Sequence, residues 1–185
     1  MTGRTIIAGI GQTEFSKNSG RSELQLACEA VKAALDDAGL TPGDVDGMTT
    51  FTMDTSDEIE LARAIGAGDL TFFSRVPYGG GAAIGVVQHA VMAVATGAAE
   101  CVVVYRAFNE RSGRRYSTGI SEGIVTADLI HWSWYLPFGL VTPASWVAMY
   151  TQRYMHEYGC TGEDLARVAV SARRHAVNNP NAFFH

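Results

Sequence analysis

The segment from Ala82 to Thr96 constrains the fold more than any other part of the chain. It reads AAIGVVQHAVMAVAT and is apolar on nearly every side. A helix without a polar face has to be buried all round, either in a large core or against another subunit. With Gln88 and His89 inside it, the segment falls short of the roughly 20 uninterrupted apolar residues that a membrane span requires. It therefore predicts a buried central helix and no membrane span.

The sequence around this helix alternates between strand and helix patterns. A strand, LTFFSRV, leads into the turn PYGGG before the helix, and the run ECVVVYR after it is typical of a strand covered on both faces. The same alternation precedes it, with strands at 4–12 and 45–53 and helices at 22–39 and 57–66. Such an alternation predicts an α/β fold with a mixed, mostly parallel sheet.

After Ala107 the alternation stops. Residues 107–141 are rich in aromatic side chains and glycine and show no regular strand or helix pattern. Irregular segments of this length usually have a function. Two helices are predicted to follow, Pro143–Tyr158 and Thr161–Asn178, the second with Thr161 and Asp164 in a capping box. We therefore expect an α/β region over 1–106, and an excursion off the sheet followed by helices over 107–185.

Composition excludes several classes of protein. Of 185 residues, 47% are hydrophobic and 18% are charged, which excludes disorder, and a net charge of −5 does not favour a nucleic-acid binder. The cysteines Cys28, Cys101 and Cys160 form neither a disulfide framework nor a zinc pattern. No His, Asp or Glu residues have convincing metal-ligand spacing, so no metal is predicted. A reducing cytoplasm fits this cysteine usage best.

The turn PYGGG has the composition of a site that presents a reactive group at the start of a helix. Its glycines permit close approach of a ligand, and the free N–H groups of the helix start favour a developing negative charge. Tyr78 occupies the position at which such a turn presents its reactive residue, and the turn contains no Ser or Cys. Two interpretations stay open: a site with Tyr78 at the reaction centre, or glycines that let the helix pack on the sheet, with Tyr78 as a packing residue.

Four stretches together resemble the thiolase superfamily, and more narrowly its lipid-transfer/sterol-carrier type. They are IIAGIGQTEF, SELQLACEAVKAALDDAGLTPGDVDGM, the strand–turn–helix, and MHEYGCTGEDLARVAVSARRHAVNNPNAFF. The resemblance implies a subunit of about twice this length with two similar α/β halves. This chain would be the N-terminal half and the start of the loop region over the coenzyme A site, with the C-terminal half absent. It also implies a homodimer.

Thiolases carry an acyl-accepting cysteine in a C-x-x-G pattern at the head of the buried helix. Here Tyr78 occupies the cysteine position and Gly81 the retained glycine. Thiolysis needs a thiolate, and a phenol with a pKa of about 10 is a poor substitute. The chain thus resembles the cysteine-less aldolases of bacterial steroid side-chain degradation. That resemblance implies retro-aldol cleavage of a β-hydroxy steroid side-chain CoA thioester to a 17-ketosteroid and propionyl-CoA, in the bacterial cytoplasm.

The same resemblance implies further binding properties. No cofactor is expected besides the coenzyme A thioester that is the substrate, and the expected partner is an OB-fold protein with a zinc module, from an acyl-CoA hydratase complex. The catalytic acid and base are expected beyond His185. Two other functions stay open: a non-catalytic thiolase-like subunit that binds acyl-CoA or scaffolds a partner, and a thiolase or acyltransferase with its nucleophile elsewhere.

The candidate site residues fall into four groups. Tyr78 is the candidate catalytic residue. His131 and Trp134, in HWSWYLPFG, could line a steroid-sized cavity, seal a partner interface or belong to the core. The glycines of the turn would supply backbone donors to an oxyanion: Gly79, Gly80 and Gly81. Three arginines would contact phosphates of coenzyme A or lie in a solvated loop: Arg111, Arg114 and Arg115.

Overall fold

The computed structural model describes residues 5–51, 56–76, 82–109 and 133–184. The described chain forms two compact units. The first contains residues 5–14 and 19–109, apart from the gaps just given, and the second contains residues 15–18 and 133–184.

The first unit is built on three parallel strands. These are β1 (Gly47–Phe51), β2 (Phe72–Val76) and β3 (Val102–Val104), in the order β2-β1-β3. Both pairings are parallel, as the alternation of strands and helices predicted. Every residue of β1 is buried, because it has a strand on each side and helices over its faces.

Three helices belong to the same unit as this sheet: α1 (Glu23–Ala38), α2 (Glu58–Ile65) and α3 (Ala82–Thr96). Helix α3 packs against all three strands, whereas α2 packs against β1 and α1. Neighbouring residues of a strand point to opposite faces, and Ser74 contacts α3 while Arg75 contacts α2. The two helices therefore lie on opposite faces of an α/β fold. The main core lies among α1, α2 and β1, and its largest members are Leu26, Val31, Leu35, Val45, Met48, Leu61 and Tyr105.

Helix α1 begins and ends as its sequence predicted. The Ser22 hydroxyl oxygen accepts a hydrogen bond from the N–H of Gln25 at 3.1 Å, and Gly39 ends the helix in the left-handed conformation with φ 68°. Ser22 and Gln25 form only half of a capping box, since the side chain of Gln25 donates to Glu29 at 3.0 Å and not to the backbone of Ser22.

The predicted strand at residues 4–12 is wrong for its described part, residues 5–12, which has no strand structure. This segment lies along α1: a Cβ on Gly9 would come within 2.2 Å of the carbonyl oxygen of Ala34. The N–H of Ile10 donates to the Asp37 carboxylate at 2.9 Å. A helix surface offers no backbone ladder to pair with, and the side chain of Ile6 is left 81% exposed.

The apolar helix α3 is buried on one side. Val86, Ala90 and Ala93 are buried on the sheet, which is only part of the all-round burial that the sequence predicted. On the opposite side, Ile84 is 75% and Met92 48% exposed within this chain. In the described residues, no helix has the length and apolar character needed to cross a membrane.

The second unit contains two longer helices, α4 (Pro143–Tyr158) and α5 (Gly162–Ala176), both close to their predicted bounds. Helix α5 begins with the predicted capping box, in which the Asp164 carboxylate accepts from the N–H and the hydroxyl of Thr161, both at 2.9 Å. Neither of these helices contains a buried residue among those described.

Candidate functional site

The candidate site lies at the carboxyl ends of β1 and β2. These two strands are parallel and their last residues, Phe51 and Val76, are paired. Ligands of open α/β sheets bind at this edge, beyond the carboxyl ends of the strands. In the sequence, segment 77–81, with Tyr78 and its glycines, follows Val76 directly.

An ion cluster lies at the same edge, on the α2 face. The Nε atom of Arg75 donates to both carboxylate oxygens of Glu58, at 2.9 and 3.0 Å. Its Nη2 atom also contacts Glu58, and in addition Asp57. The Glu58 side chain is only 6% exposed, whereas that of Arg75 is 37% exposed. The cluster therefore joins the first residue of α2 to the end of β2.

The charges of this cluster stabilise one another. Hydrogen bonds from Arg75 lower the pKa of Glu58, against the opposing effect of burial. The bond to Glu58 likewise raises the pKa of the Arg75 guanidinium above its ordinary value. Both groups are therefore ionised at neutral pH, and the cluster has a structural role rather than that of a proton donor or acceptor.

A second polar pair lies on the other face of the strand. The Ser74 hydroxyl and Nδ1 of His89 in α3 are 2.6 Å apart, and both residues are half-buried. His89 is therefore hydrogen-bonded within the helix that the sequence predicted to be buried. In the neighbouring strand, the Thr49 hydroxyl donates to the carbonyl oxygen of Val86 at 3.2 Å. Helix α3 is therefore joined to the sheet by polar bonds as well as by apolar packing.

Helix α3 approaches the end of β2 very closely at Gly85. A Cβ placed on Gly85 would lie 3.1 Å from Cγ1 of Val76, closer than ordinary van der Waals contact. With a larger residue at this position, the Val76 side chain would have to shift by a few tenths of an ångström. At Gly85, the role of glycine is thus close packing of the helix on the sheet.

Most of the sequence-predicted site residues lie outside the described residues, and their roles stay predictions. They are Tyr78, Gly79, Gly80, Gly81, Arg111, Arg114, Arg115 and His131. Trp134 is described, and its side chain is 74% exposed in the second unit. Its predicted role in a cavity or at an interface also stays a prediction.

The cysteines do not have the surroundings of a nucleophile. Burial raises the pKa of the Cys28 and Cys101 thiols, which disfavours the thiolate that acyl transfer needs. Cys160 follows α4 and contacts the carbonyl oxygen of Thr161 at 3.7 Å. Within the part of the chain that the structure describes, no group of His, Cys, Asp and Glu residues could hold a metal ion.

Sequence comparison places this α/β chain among relatives of thiolases. It is 30% identical to the benzoylsuccinyl-CoA thiolase subunit BbsB of Thauera aromatica, over 98% of this chain and 46% of that protein. No family model matches the chain.

Similarity is much higher to an aldolase and a lyase. The chain is 65% identical to a steroid side-chain-cleaving aldolase of Thermomonospora curvata. It is 58% identical to the 17-hydroxy-3-oxo-4-pregnene-20-carboxyl-CoA lyase of Mycobacterium tuberculosis. Both matches cover 100% of this chain and 48% of the relative, so the chain spans about half the length of the curated relatives it matches.

A solved structure agrees with this result. The Ltp2-ChsH2(DUF35) aldolase superposes with a TM-score of 0.84 at 66% identity, over 97% of this chain and 45% of that chain. The chain is a homologue of steroid side-chain-cleaving aldolases, with a more distant relation to thiolases. The resemblance predicted from the sequence is therefore confirmed.

Sequence reasoning missed the Arg75–Glu58 pair. It predicted the helix over 57–66 and the strand that contains Arg75, but no contact between them. Strand alternation in FFSRV does place Ser74 and Arg75 on opposite faces, and a charged residue next to a predicted turn was an available signal. Its partner, however, is known only once α2 is packed on the sheet.

Proposed function

We propose that the protein to which this chain belongs is a thiolase-fold aldolase, a carbon–carbon lyase. Its proposed reaction is retro-aldol cleavage of a β-hydroxy steroid side-chain CoA thioester to a 17-ketosteroid and propionyl-CoA. The observation that carries this proposal is the 65% and 58% identity, over the whole of this chain, to enzymes named as a steroid side-chain-cleaving aldolase and a carboxyl-CoA lyase.

The reaction needs a base, a stabilised enolate and an acid, but no covalent intermediate. A base removes the proton of the β-hydroxyl group, the bond between the α and β carbons breaks, and the hydroxyl-bearing carbon becomes a ketone. The electron pair moves into the thioester as an enolate, which hydrogen-bond donors stabilise. An acid then protonates the α carbon to give propionyl-CoA. A chain with Tyr78 at the nucleophile position of thiolases is compatible with this sequence of steps.

The proposed roles of residues follow from this chemistry. Backbone N–H groups of Gly79, Gly80 and Gly81 would stabilise the enolate oxygen, and Tyr78 would donate a hydrogen bond beside it. His131 and Trp134 would contact the steroid. Arginines 111, 114 and 115 would bind the phosphates of coenzyme A, to which guanidinium groups are suited. The acid and base would come from the part of the protein outside this chain.

We also propose a homodimer that works with an OB-fold, zinc-containing partner in the bacterial cytoplasm. Support for a partner comes from the similar solved structure, whose name joins two components, Ltp2 and ChsH2(DUF35).

The decisive experiment uses the full-length protein with its partner. Incubation with the CoA thioester of a 17-hydroxy steroid side chain should release propionyl-CoA, measured by mass spectrometry. The matched control is the same thioester without the 17-hydroxyl group, which has no proton for the base to remove and should stay intact. Prior treatment with iodoacetamide should leave the rate unchanged, because no thiolate takes part. Absence of propionyl-CoA with every partner combination would contradict the proposal.

A further inference from the structure

Arg106 lies at the carboxyl edge of the sheet, on the face that contacts α3. The Thr49 hydroxyl donates to a carbonyl oxygen of α3, so Thr49 points to this face, and Phe51, two residues further along β1, points to it as well. The Cζ atom of Arg106 lies 5.0 Å from the centre of the Phe51 ring and 5.1 Å from the centre of the Phe108 ring. The guanidinium therefore lies beside the end of β1, on the face opposite to α2.

The backbone on both sides of Arg106 is fixed by buried contacts. Tyr105 donates its N–H to the carbonyl oxygen of Thr49 at 3.1 Å and its hydroxyl to the carbonyl oxygen of Ser56 at 2.9 Å. Ala107 is buried and belongs to the main core. Among residues 105–109, all of which the structure describes, only Arg106 is exposed. Buried neighbours thus hold the backbone that carries an exposed arginine.

The two rings that contact the guanidinium are also attached to fixed backbone. Phe51 is the last residue of a strand that is buried throughout. The residue after Phe108 is Asn109, whose side chain donates to the carbonyl oxygen of Arg21 at 2.7 Å. The N–H of Asn109 donates to the Glu23 carboxylate at 3.3 Å. The surroundings of Arg106 are therefore set before any ligand binds.

The contacts with the rings favour a binding role for Arg106. An aromatic ring attracts a cation and orients a guanidinium, but it does not neutralise the charge. A guanidinium held by ring faces still directs its N–H groups outward in its own plane. Arg75, at the same edge but on the other face, instead donates to two carboxylates that oppose its charge. An oriented arginine in a fixed frame is suited to recognise an anionic oxygen.

The position of Arg106 in the fold is one at which ligands bind. The helix that follows β1 is α2, whereas the helix that follows β2 is α3. These helices lie on opposite faces, so the direction of the connections changes between two neighbouring strands. Open α/β sheets bind their ligands at such a point, outside the carboxyl ends of the strands. Arg106 lies over Phe51, the residue that ends β1.

We propose that Arg106 is a ligand-binding residue that donates hydrogen bonds to an anionic oxygen of a coenzyme A thioester. Phe51 and Phe108 orient its guanidinium. The identity of the ligand rests on the proposed function. A coenzyme A thioester has two sources of anionic oxygen: its phosphates, which are charged before the reaction, and the enolate oxygen that forms during cleavage. A contact with a phosphate acts on binding, whereas a contact with the enolate acts on the rate.

The first test measures the binding of free coenzyme A to the full-length protein and its partner by calorimetry, which requires no aldolase activity. If Arg106 binds a phosphate, Arg106→Met should weaken this binding by about 10-fold or more, because a charge-assisted hydrogen bond is lost. Arg106→Lys should recover part of the affinity, since lysine keeps the charge but not the two-donor geometry. Pantetheine, which has no phosphate, is the matched ligand, and its affinity should not change.

The second test measures aldolase kinetics with the same proteins. If Arg106 binds the enolate oxygen, Arg106→Met should lower kcat by about 10-fold or more at an unchanged affinity for coenzyme A. Phe108→Leu keeps an apolar side chain but removes one ring, and should give a smaller change of the same kind. The control Arg153→Met removes an exposed arginine of the second unit and should change neither value. Circular dichroism checks that each variant is folded.

The two tests separate this proposal from the proposed function. If the protein has no aldolase activity but Arg106→Met weakens the binding of coenzyme A, the proposed function fails and Arg106 remains an anion-binding residue. If the protein cleaves the steroid thioester and a folded Arg106→Met variant changes neither kcat nor the affinity, the proposal for Arg106 is overturned and the proposed function stands. An inactive protein in which Arg106→Met leaves the affinity unchanged contradicts both.

Discussion

The two compact units differ in where their apolar side chains lie. In the first, every residue of β1 is buried and the helices α1 and α2 share a core with the sheet. In the second, neither α4 nor α5 has a buried residue among those described, and Tyr150 is 75% exposed. Substitutions of similar residues should therefore change the free energy of unfolding by different amounts in the two units. The reason is that the cost of losing a contact depends on burial and not on chemical type.

The largest expected difference concerns ion pairs. Arg75→Met leaves the Glu58 carboxylate buried and unpaired, and should lower the free energy of unfolding by about 3–5 kcal/mol. Arg153→Met breaks an i,i+4 pair whose arginine side chain is 74% exposed. It should cost only about 0–1 kcal/mol. Urea unfolding of the full-length variants measures both values, and equal costs would mean that burial does not distinguish the two pairs.

A smaller difference is expected for a pair of methionines. Met48 in β1 is fully buried, whereas Met149 in α4 is 58% exposed. Met48→Ala should cost about 2–5 kcal/mol, through lost burial and the cavity left behind. Met149→Ala should stay within about 0.5 kcal/mol of the wild type. Thermal unfolding followed by circular dichroism tests this pair, and a large cost at Met149 would show that the second unit has a core of its own.

The smallest effect is expected from pH. Because Arg75 lowers the pKa of Glu58, the ionised carboxylate contributes stability that is fully present above the unfolded-state pKa of about 4.3. That contribution is lost as the pH falls through the lower, folded-state pKa. Between about pH 5 and pH 3 the wild type should therefore lose more stability than Glu58→Leu/Arg75→Met. Parallel pH profiles for the two proteins would contradict an ionised Glu58 in the folded state.

Much of the fold could be predicted because local signals agree with it. Ser22 and Gly39 mark the ends of α1, and the Thr161–Asp164 box marks the start of α5. Alternation of strands and helices predicted the parallel sheet. The segment around Ile6 has the composition of a strand but no neighbouring strand among the described residues, and pairing is a tertiary property.

Less of the candidate site could be predicted. The glycine-rich turn and Tyr78 were visible as a motif, since the backbone freedom of glycine and the position of a helix start are local properties. The contacts of Arg75, in the strand before the turn, were not visible. Glu58 and Arg75 are distant in the chain, and only the packing of α2 against the sheet brings their charges together.

The sequence by itself determined the helix boundaries, the parallel α/β architecture and the relation to steroid side-chain-cleaving aldolases. The reason is that caps, apolar periodicity and the order of motifs are properties of the sequence alone. Only the tertiary structure decided which residues meet. It paired Arg75 with Glu58 and Ser74 with His89, packed Gly85 on Val76 and left one side of α3 exposed. The physical reason is that burial and ion pairing depend on neighbours in space, which no local pattern specifies.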